Sequence, residues 1–284
     1  MEKIVGKSYS GERSLFGARD LELDDVTFLE GESPLKESEH ILVKNCSFSW
    51  KYPLWYSREL EVKNTRFYNQ SHAGIWYTED SSFEGCSFEE GKNFRHSKNI
   101  TISHCLFSKA TETIWWCEKM EVQKCSFIGD YLGLGSKDST FDSIEVNGNY
   151  PFDGSKNIHI KNSVLRSKDA FWNAENILIE DSVIEGEYFG WNSKNVKLVR
   201  TKIISHQGFC YMDNVTLIDC EIHDSDLTFE YVSNANVVIT KGELDLKNPI
   251  SGTFIAPSFK TILLNDRRVE KEHLIFQKSG DLNG

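Results

Sequence analysis

Nowhere does the 284-residue sequence run to about 18 consecutive apolar side chains, the length a helix needs to cross a bilayer, so no membrane-spanning helix is expected. Basic residues are in the minority. Lys and Arg number 32 against 43 Asp and Glu, a net charge of −11, and without a basic face the chain is not expected to bind nucleic acid. The seven cysteines include no C-x2-C pair, and their odd number does not suit a disulfide framework. No G-x-S-x-G, phosphate-loop, H-E-x-x-H or EF-hand pattern is present, so the motifs imply no cofactor and no metal. The opening Met1–Lys7 has neither an apolar core nor a small-residue cleavage site, which leads us to expect a cytoplasmic protein with free thiols. Hydrophobic residues at 39% and charged residues at 26% suit a folded chain rather than a disordered one.

What the sequence has instead is a repeat. Leu21-Glu22-Leu23-Asp24-Asp25-Val26-Thr27-Phe28 follows the pattern apolar-x-apolar-x-polar-small-x-apolar, and Ile41–Phe48 repeats it twenty residues later. The same pattern restarts at Leu60, Ser81, Ile100, Met120, Ser139, Ile158, Ile177, Val196, Val215 and Val237. Within each unit apolar residues alternate, the signature of strands with one buried face. Polar bends at Asn45, Asn64, Asn162 or Asp181 join two such strands. Segments such as Thr113-Ile114-Trp115-Trp116 and Ala170-Phe171-Trp172-Asn173 are read as a third strand. No helical period intervenes. The expected fold is all-β, a single-stranded right-handed parallel β-helix of about twelve coils of 19–20 residues. The strands are too unequal for a left-handed helix of equal hexapeptides, and the period is about half that of a propeller blade. One domain over 1–284 is expected, with 1–20 as an N-terminal cap and first irregular coil and 245–284 as the other cap.

Stacking puts equivalent positions in columns. Cys46, Thr65, Cys86, Cys105, Cys125, Ser163, Ser182, Thr201 and Cys220 share one position, which predicts an inward column of small side chains and an inert role for these cysteines. Asn99, Asn157, Asn176, Asn195 and Asn214 share a turn position, where stacked amides can hydrogen-bond from coil to coil.

Function is sought on the outer face. Five residues before each repeat lies a column containing Phe16, Lys36, Trp55, Trp76, Arg95, Trp115, Leu134, Asp153, Trp172, Trp191 and Cys210, and alternation points it outward. A row of exposed indoles suits stacking against sugar rings or docking a partner chain. Tyr56 and Trp116, one position on, are read as inward and structural. Eight positions back stand Arg13, Tyr52, Lys92, Glu112, Tyr131, Tyr150, Asp169 and Tyr188.

Two constellations follow. In the first, Glu12 and Glu32 occupy equivalent places in successive coils, about 5 Å apart. Lys36, Lys51, Tyr52 and His72 are expected close by. Carboxylates so paired can divide acid and base roles. In the second, Asp153 and Asp169 are flanked by Trp172, Tyr150 and Tyr131, a sugar-site composition. Glu12, Glu32, Lys36, His72, Asp153 and Asp169 are therefore the candidate catalytic residues. Arg13, Lys51, Tyr52, Trp55, Trp76, Arg95, Trp115, Tyr131, Tyr150, Trp172 and Trp191 are the candidate ligand contacts. A solvated rim of ion pairs is the competing reading for both constellations.

The segments Gly11-Glu12-Arg13-Ser14-Leu15-Phe16, Gly31-Glu32-Ser33-Pro34-Leu35-Lys36-Glu37, Trp50-Lys51-Tyr52-Pro53-Leu54-Trp55-Tyr56 and Gly74-Ile75-Trp76-Tyr77-Thr78 carry a resemblance. They resemble an uncharacterised bacterial family of small cytoplasmic β-helix proteins, a domain of unknown function within the pectin-lyase-like superfamily. The resemblance implies the β-helix fold and, by analogy alone, carbohydrate; it carries over no catalytic residue. Two readings of function result. One is a carbohydrate-interacting protein, as an enzyme a lyase, hydrolase or isomerase, acting on an oligosaccharide or sugar derivative at the tryptophan-lined face. The other is an assembly protein whose aromatic row is a subunit or partner interface.

Overall fold

Alternation makes each repeat a strand with one wet face. In Glu39–Lys44 the side chains of Ile41 and Val43 are buried, while Leu42 between them and Lys44 after them are half-exposed. Each such strand pairs in parallel with the equivalent strand of the next coil, for example Ile41↔Leu60 and Val43↔Val62. The computed structural model describes residues 1–280, and these form an all-β, right-handed parallel solenoid whose single short helix is the 3-10 turn Lys271–His273. By contacts the chain divides into two compact units, 1–147 and 148–284.

In the first unit eight long strands lie in one ladder, from Glu2–Val5 and Arg19–Asp24 to Glu118–Gln123 and Lys137–Asp142. After a bend each is followed by a strand of two or three residues, such as Ser87–Phe88. The bend residue is left-handed: Asn45 has φ 54° and Asn64 φ 48°, a conformation Asn tolerates better than most residues. Inside, Phe28, Phe48, Phe67, Phe88, Phe107 and Phe127 stack face to face, with centroids 4.4–5.1 Å apart. Burying each ring contributes about 1.5–3 kcal/mol. Outside, Arg58, Glu79, Lys98, Glu118 and Lys137 are register partners in turn, so alternating charges meet along the ladder.

The second unit has seven coils. Its ladder runs through Lys156–Lys161, Glu175–Glu180, Lys194–Val199, Asp213–His223, Ala235–Lys247, Gly252–Ala256 and Leu274–Lys278. Its core rings run from Phe152 and Phe171 through Phe189, Phe209 and Phe229 to Phe254, with the half-exposed Phe276 packed at the end. Asn176, Asn195 and Asn214 each donate a side-chain N–H to the asparagine one coil before, at 2.8–2.9 Å, which is the amide ladder the spacing predicts.

Eight coils and seven make about fifteen rather than twelve. The sequence register misses Glu2–Val5, which shows no alternation, and the turns at 252–256 and 274–278, where the spacing from Val237 to Phe254 to Phe276 leaves the 19-residue step. The segments read as third strands are turns instead. Glu112, Ile114 and Trp116 all have φ between 51° and 58°, and repeated left-handed residues cannot extend into a strand. Isolated parallel bridges, Trp76↔Arg95 and Arg95↔Trp115, are what remains of that sheet.

The expected small-residue column is buried as predicted, and all seven cysteines are free and buried. Burial pushes the Cys46 and Cys210 thiols up to about 11 and that of Cys117 to about 12. These thiols pack as small apolar groups.

Candidate ligand site

The outer column is not one surface but two. In residues 1–147 the indoles of Trp55 and Trp76 stack at 5.0 Å with planes 11° apart. Arg95 then slides its guanidinium between Trp76, 5.0 Å away, and Trp115, 4.3 Å away. Arg95 is itself buried and paired with Glu112. Each indole N–H is also taken: Trp55 donates to the Ala73 carbonyl, Trp76 to Lys92 at 2.7 Å and Trp115 to Tyr131 at 2.5 Å. With their N–H groups engaged and their rings stacked on one another or on Arg95, these tryptophans remain half-exposed. The row is a continuous stack of indoles and guanidinium rather than a set of separate ring faces.

Beside this stack runs an exposed one that sequence alternation misassigns. Tyr56 and Trp116, expected to point inward, are 49% and 45% exposed. Tyr56, Tyr77, His96 and Trp116 stack in sequence at 4.7, 5.1 and 5.1 Å, with planes within 14° of parallel. All four have left-handed backbone, φ 49–56°, which turns the side chain outward where simple alternation points it in. Cys210 errs the other way: it is buried, its Sγ donating to the Gln207 carbonyl at 3.3 Å.

The first constellation is an ion-paired rim. Lys51 lies 3.5 Å from Glu32, and Lys36 lies 3.8 Å from Glu37 while covering the Tyr56 ring. Tyr52 packs on Trp55 at 4.5 Å and edge-on to His72 at 6.0 Å. Glu12 and Arg13 are exposed, the latter over Phe16. The Arg13 N–H donates to the Glu32 carbonyl at 2.9 Å, which sets these two segments side by side. Tyr131 stands perpendicular to Trp115, 6.4 Å away.

In residues 148–280 the same column opens. Trp172 and Trp191 are 5.9 Å apart with planes tilted by 31°, and Trp191 meets Tyr211 at 42°. Tyr150 stands at right angles to Trp172, 5.5 Å away. The neighbouring position carries Asn173 and Asn192 in place of large rings. These amides form a ladder of their own, Asn192 donating to Asn173 and Asn173 to Asp153. The result is a cavity of about 340 Å³ lined by Tyr150, Lys168, Asp169, Trp172, Tyr188, Trp191 and Gln207.

Asp169 is its chemical centre. The Lys168 carbonyl accepts from the Glu187 and Tyr188 N–H groups at 3.1 and 2.8 Å, and the Asp169 N–H donates to Ser167 Oγ, which fixes the bend. The carboxyl is 2% exposed and its Oδ2 has no hydrogen-bond partner. Burial holds its pKa above the ordinary aspartate value, opposed by the Lys168 charge and a Tyr150 hydrogen bond. A carboxyl so placed can donate to a ligand hydroxyl when protonated and accept from one when ionised.

The structure thus brings Tyr150, Asp169, Trp172 and Trp191 together. It leaves Asp153 outside, occupied by Asn173. Lys168 and Gln207 escape a reading of single columns, although the spacing carries them: Lys168-Asp169, Glu187-Tyr188 and His206-Gln207 recur every 19 residues. Among the described residues, no group of three or more His, Cys, Asp and Glu side chains is placed to hold a metal ion. No helix there is long and apolar enough to cross a membrane.

The chain is similar to several solved structures. The surface adhesin PfbA of Streptococcus pneumoniae is 10% identical with a TM-score of 0.39, over 77% of this chain and 72% of that one. The A-module of the mannuronan C-5 epimerase AlgE4 of Azotobacter vinelandii is 10% identical with a TM-score of 0.37, over 86% and 88%. The tailspike protein of E. coli bacteriophage HK620 is 9% identical with a TM-score of 0.41, over 89% of this chain and 58% of the tailspike chain. No curated protein matches in sequence. Residues 2–277 match the family described as "Protein of unknown function (DUF3737)", and the chain belongs to that family.

Proposed function

We propose that the protein is a carbohydrate-interacting β-helix and that it holds a sugar in the cavity around Asp169. The observation that carries this reading is the pairing of tilted, half-buried indoles at Trp172 and Trp191 with a buried carboxyl oxygen that has no partner. Sugars present apolar ring faces and hydroxyl rims, and aromatic planes with one polar anchor match both. Binding is the part the geometry supports best. Among the described residues Asp169 is the only carboxyl lining this cavity, whereas glycoside hydrolysis ordinarily uses two. Isothermal titration and tryptophan fluorescence with neutral, amino and uronic oligosaccharides test the reading. Trp172→Ala is expected to weaken binding by up to about tenfold, the worth of a lost stacking contact. Unchanged binding by that variant, or no response to any saccharide, rules the site out.

An assembly role is the second reading, and the exposed Tyr56–Tyr77–His96–Trp116 stack favours it. Light scattering on a Tyr77→Ser, Trp116→Ser variant decides it: a multimer that falls to monomer supports an interface, and an unchanged mass removes it.

A further inference from the structure

The exposed rings of the first unit run beside a column of charge. Tyr56, Tyr77, His96 and Trp116 are followed, two residues on, by Arg58, Glu79, Lys98 and Glu118. Glu39 stands before this column and Lys137 after it, so acidic and basic residues alternate through six coils.

Both columns have the same centre. The ring stack is bounded by Glu37 at one end and by Gly135 at the other. Trp116 lies over the bare glycine, where an added Cβ would fall 2.6 Å from its Cδ1. The midpoint of the four rings is therefore the gap between Tyr77 and His96, and that of the charges lies between Glu79 and Lys98. The outer charges are engaged within the chain, Arg58 with Glu39 at 2.5 Å and Glu118 with Lys137 at 2.7 Å. The central two are not. Glu79 and Lys98 are exposed register partners, yet neither has an ion-pair partner among the described residues.

Reversing the strip about this midpoint makes it its own complement. Rings fall on rings, Glu79 falls on Lys98, Arg58 on Glu118 and Glu39 on Lys137. A two-fold axis lying across the strip performs that reversal, since in an isologous interface residue i meets j and j meets i. An axis along the coils instead sets the charges against the column of Trp55, Trp76 and Trp115, which gives them no opposite sign to meet. We infer that this strip is the interface of a two-fold dimer of the chain, the two first units antiparallel, with Tyr77 across from His96 and Glu79 across from Lys98 of the second copy. The inference rests on the assembly reading and names its partner and register. Exposed rings supply the apolar contact, and the charges fix the register and disfavour other pairings.

Exchanging charges between copies tests it by sedimentation. Glu79→Lys alone and Lys98→Glu alone each oppose like charges twice per dimer, and each is expected to raise the dimer dissociation constant at least about tenfold. An equimolar mixture of the two variants brings opposite charges together at both contacts and should dimerise again. Mixing changes nothing within either chain, so this recovery reports on the interface and not on the internal ladder. Thermal scans check that each variant is folded. A second measurement needs no charge reversal. Arg58→Cys chains mixed with Glu118→Cys chains should be joined by a short bismaleimide, while Arg58→Cys chains alone should not, because their equivalent sites stand three coils apart, about 14 Å. The native thiols are all buried and do not compete. A multimer that the Tyr77→Ser, Trp116→Ser variant dissolves, but that keeps its affinity in the charge variants or crosslinks Arg58→Cys to itself, overturns the inference and leaves the assembly reading standing. A wild-type protein that is monomeric at every concentration removes both.

Discussion

Trp172 and Trp191 lie 5.9 Å apart with their planes inclined by 31°, where the equivalent Trp55 and Trp76 lie 5.0 Å apart at 11°. One repeat position therefore gives two different surfaces. Near-parallel rings consume one another's faces, and Arg95 fills the next gap. Tilted rings leave a wedge, and the wedge opens onto Asp169.

Asp169→Asn should raise the melting temperature at pH 7. A folded-state pKa above the unfolded value means that ionisation costs stability. That cost is absent below the unfolded pKa and grows as pH rises through the folded one. The gain should be about 1 kcal/mol, the low end for a buried unsatisfied acceptor, or roughly 2–4 °C. Below pH 4 the two proteins should converge in thermal scans. A gap that stays constant with pH would show that the carboxyl is not responsible.

Phe107→Ala should cost about 3–5 kcal/mol, since its fully buried ring stacks on Phe88 and Phe127 at 4.4 and 4.6 Å. Tyr77→Ala, in the exposed ladder, should cost about 1 kcal/mol. Denaturant unfolding measures both. Similar losses for the pair would contradict the division into inner and outer stacks.

Arg95→Lys keeps the charge but loses the flat fork that fits between Trp76 and Trp115 and reaches Glu112. A loss of about 1–3 kcal/mol is expected, with a change in tryptophan emission. The exposed Arg66–Glu89 pair supplies the control: Arg66→Lys should move stability by less than about 0.5 kcal/mol.

Gly242→Ala should destabilise by about 1–3 kcal/mol or more. The backbone there has φ 102°, and an added Cβ would fall 1.7 Å from the Ile222 carbonyl oxygen. A variant of wild-type melting temperature would mean that the coil shifts freely at this point.

The native thiols should resist a disulfide reagent at pH 8, and all seven should react after unfolding. Burial holds the Cys117 thiol up to about 12, so little thiolate forms. Rapid labelling of any cysteine in the folded protein would show a breathing coil.

Much of this was legible beforehand because a repeat turns sequence position into spatial position. The inward cysteines, the Asn157–Asn214 ladder and the grouping of Tyr150, Asp169 and Trp172 all follow from spacing near 19 residues. Alternation fails where the backbone is left-handed. It sends Tyr56 and Trp116 inward, although φ near 50–56° turns both toward solvent. It also sends Cys210 outward, although that thiol turns back to backbone carbonyls.

By itself, then, the sequence determined the parallel β-helix, its inner columns and the face on which to search, because alternation and period are properties of the order of residues. Tertiary structure decided which tryptophans stack in parallel and which tilt apart. It also placed Asp153 with Asn173 rather than with Asp169, and Lys168 and Glu187 at the edge of the cavity. Ring tilt, carboxyl burial and the pairing of charges depend on which neighbours reach across from the next coil. Those distances exist only once the coils are stacked.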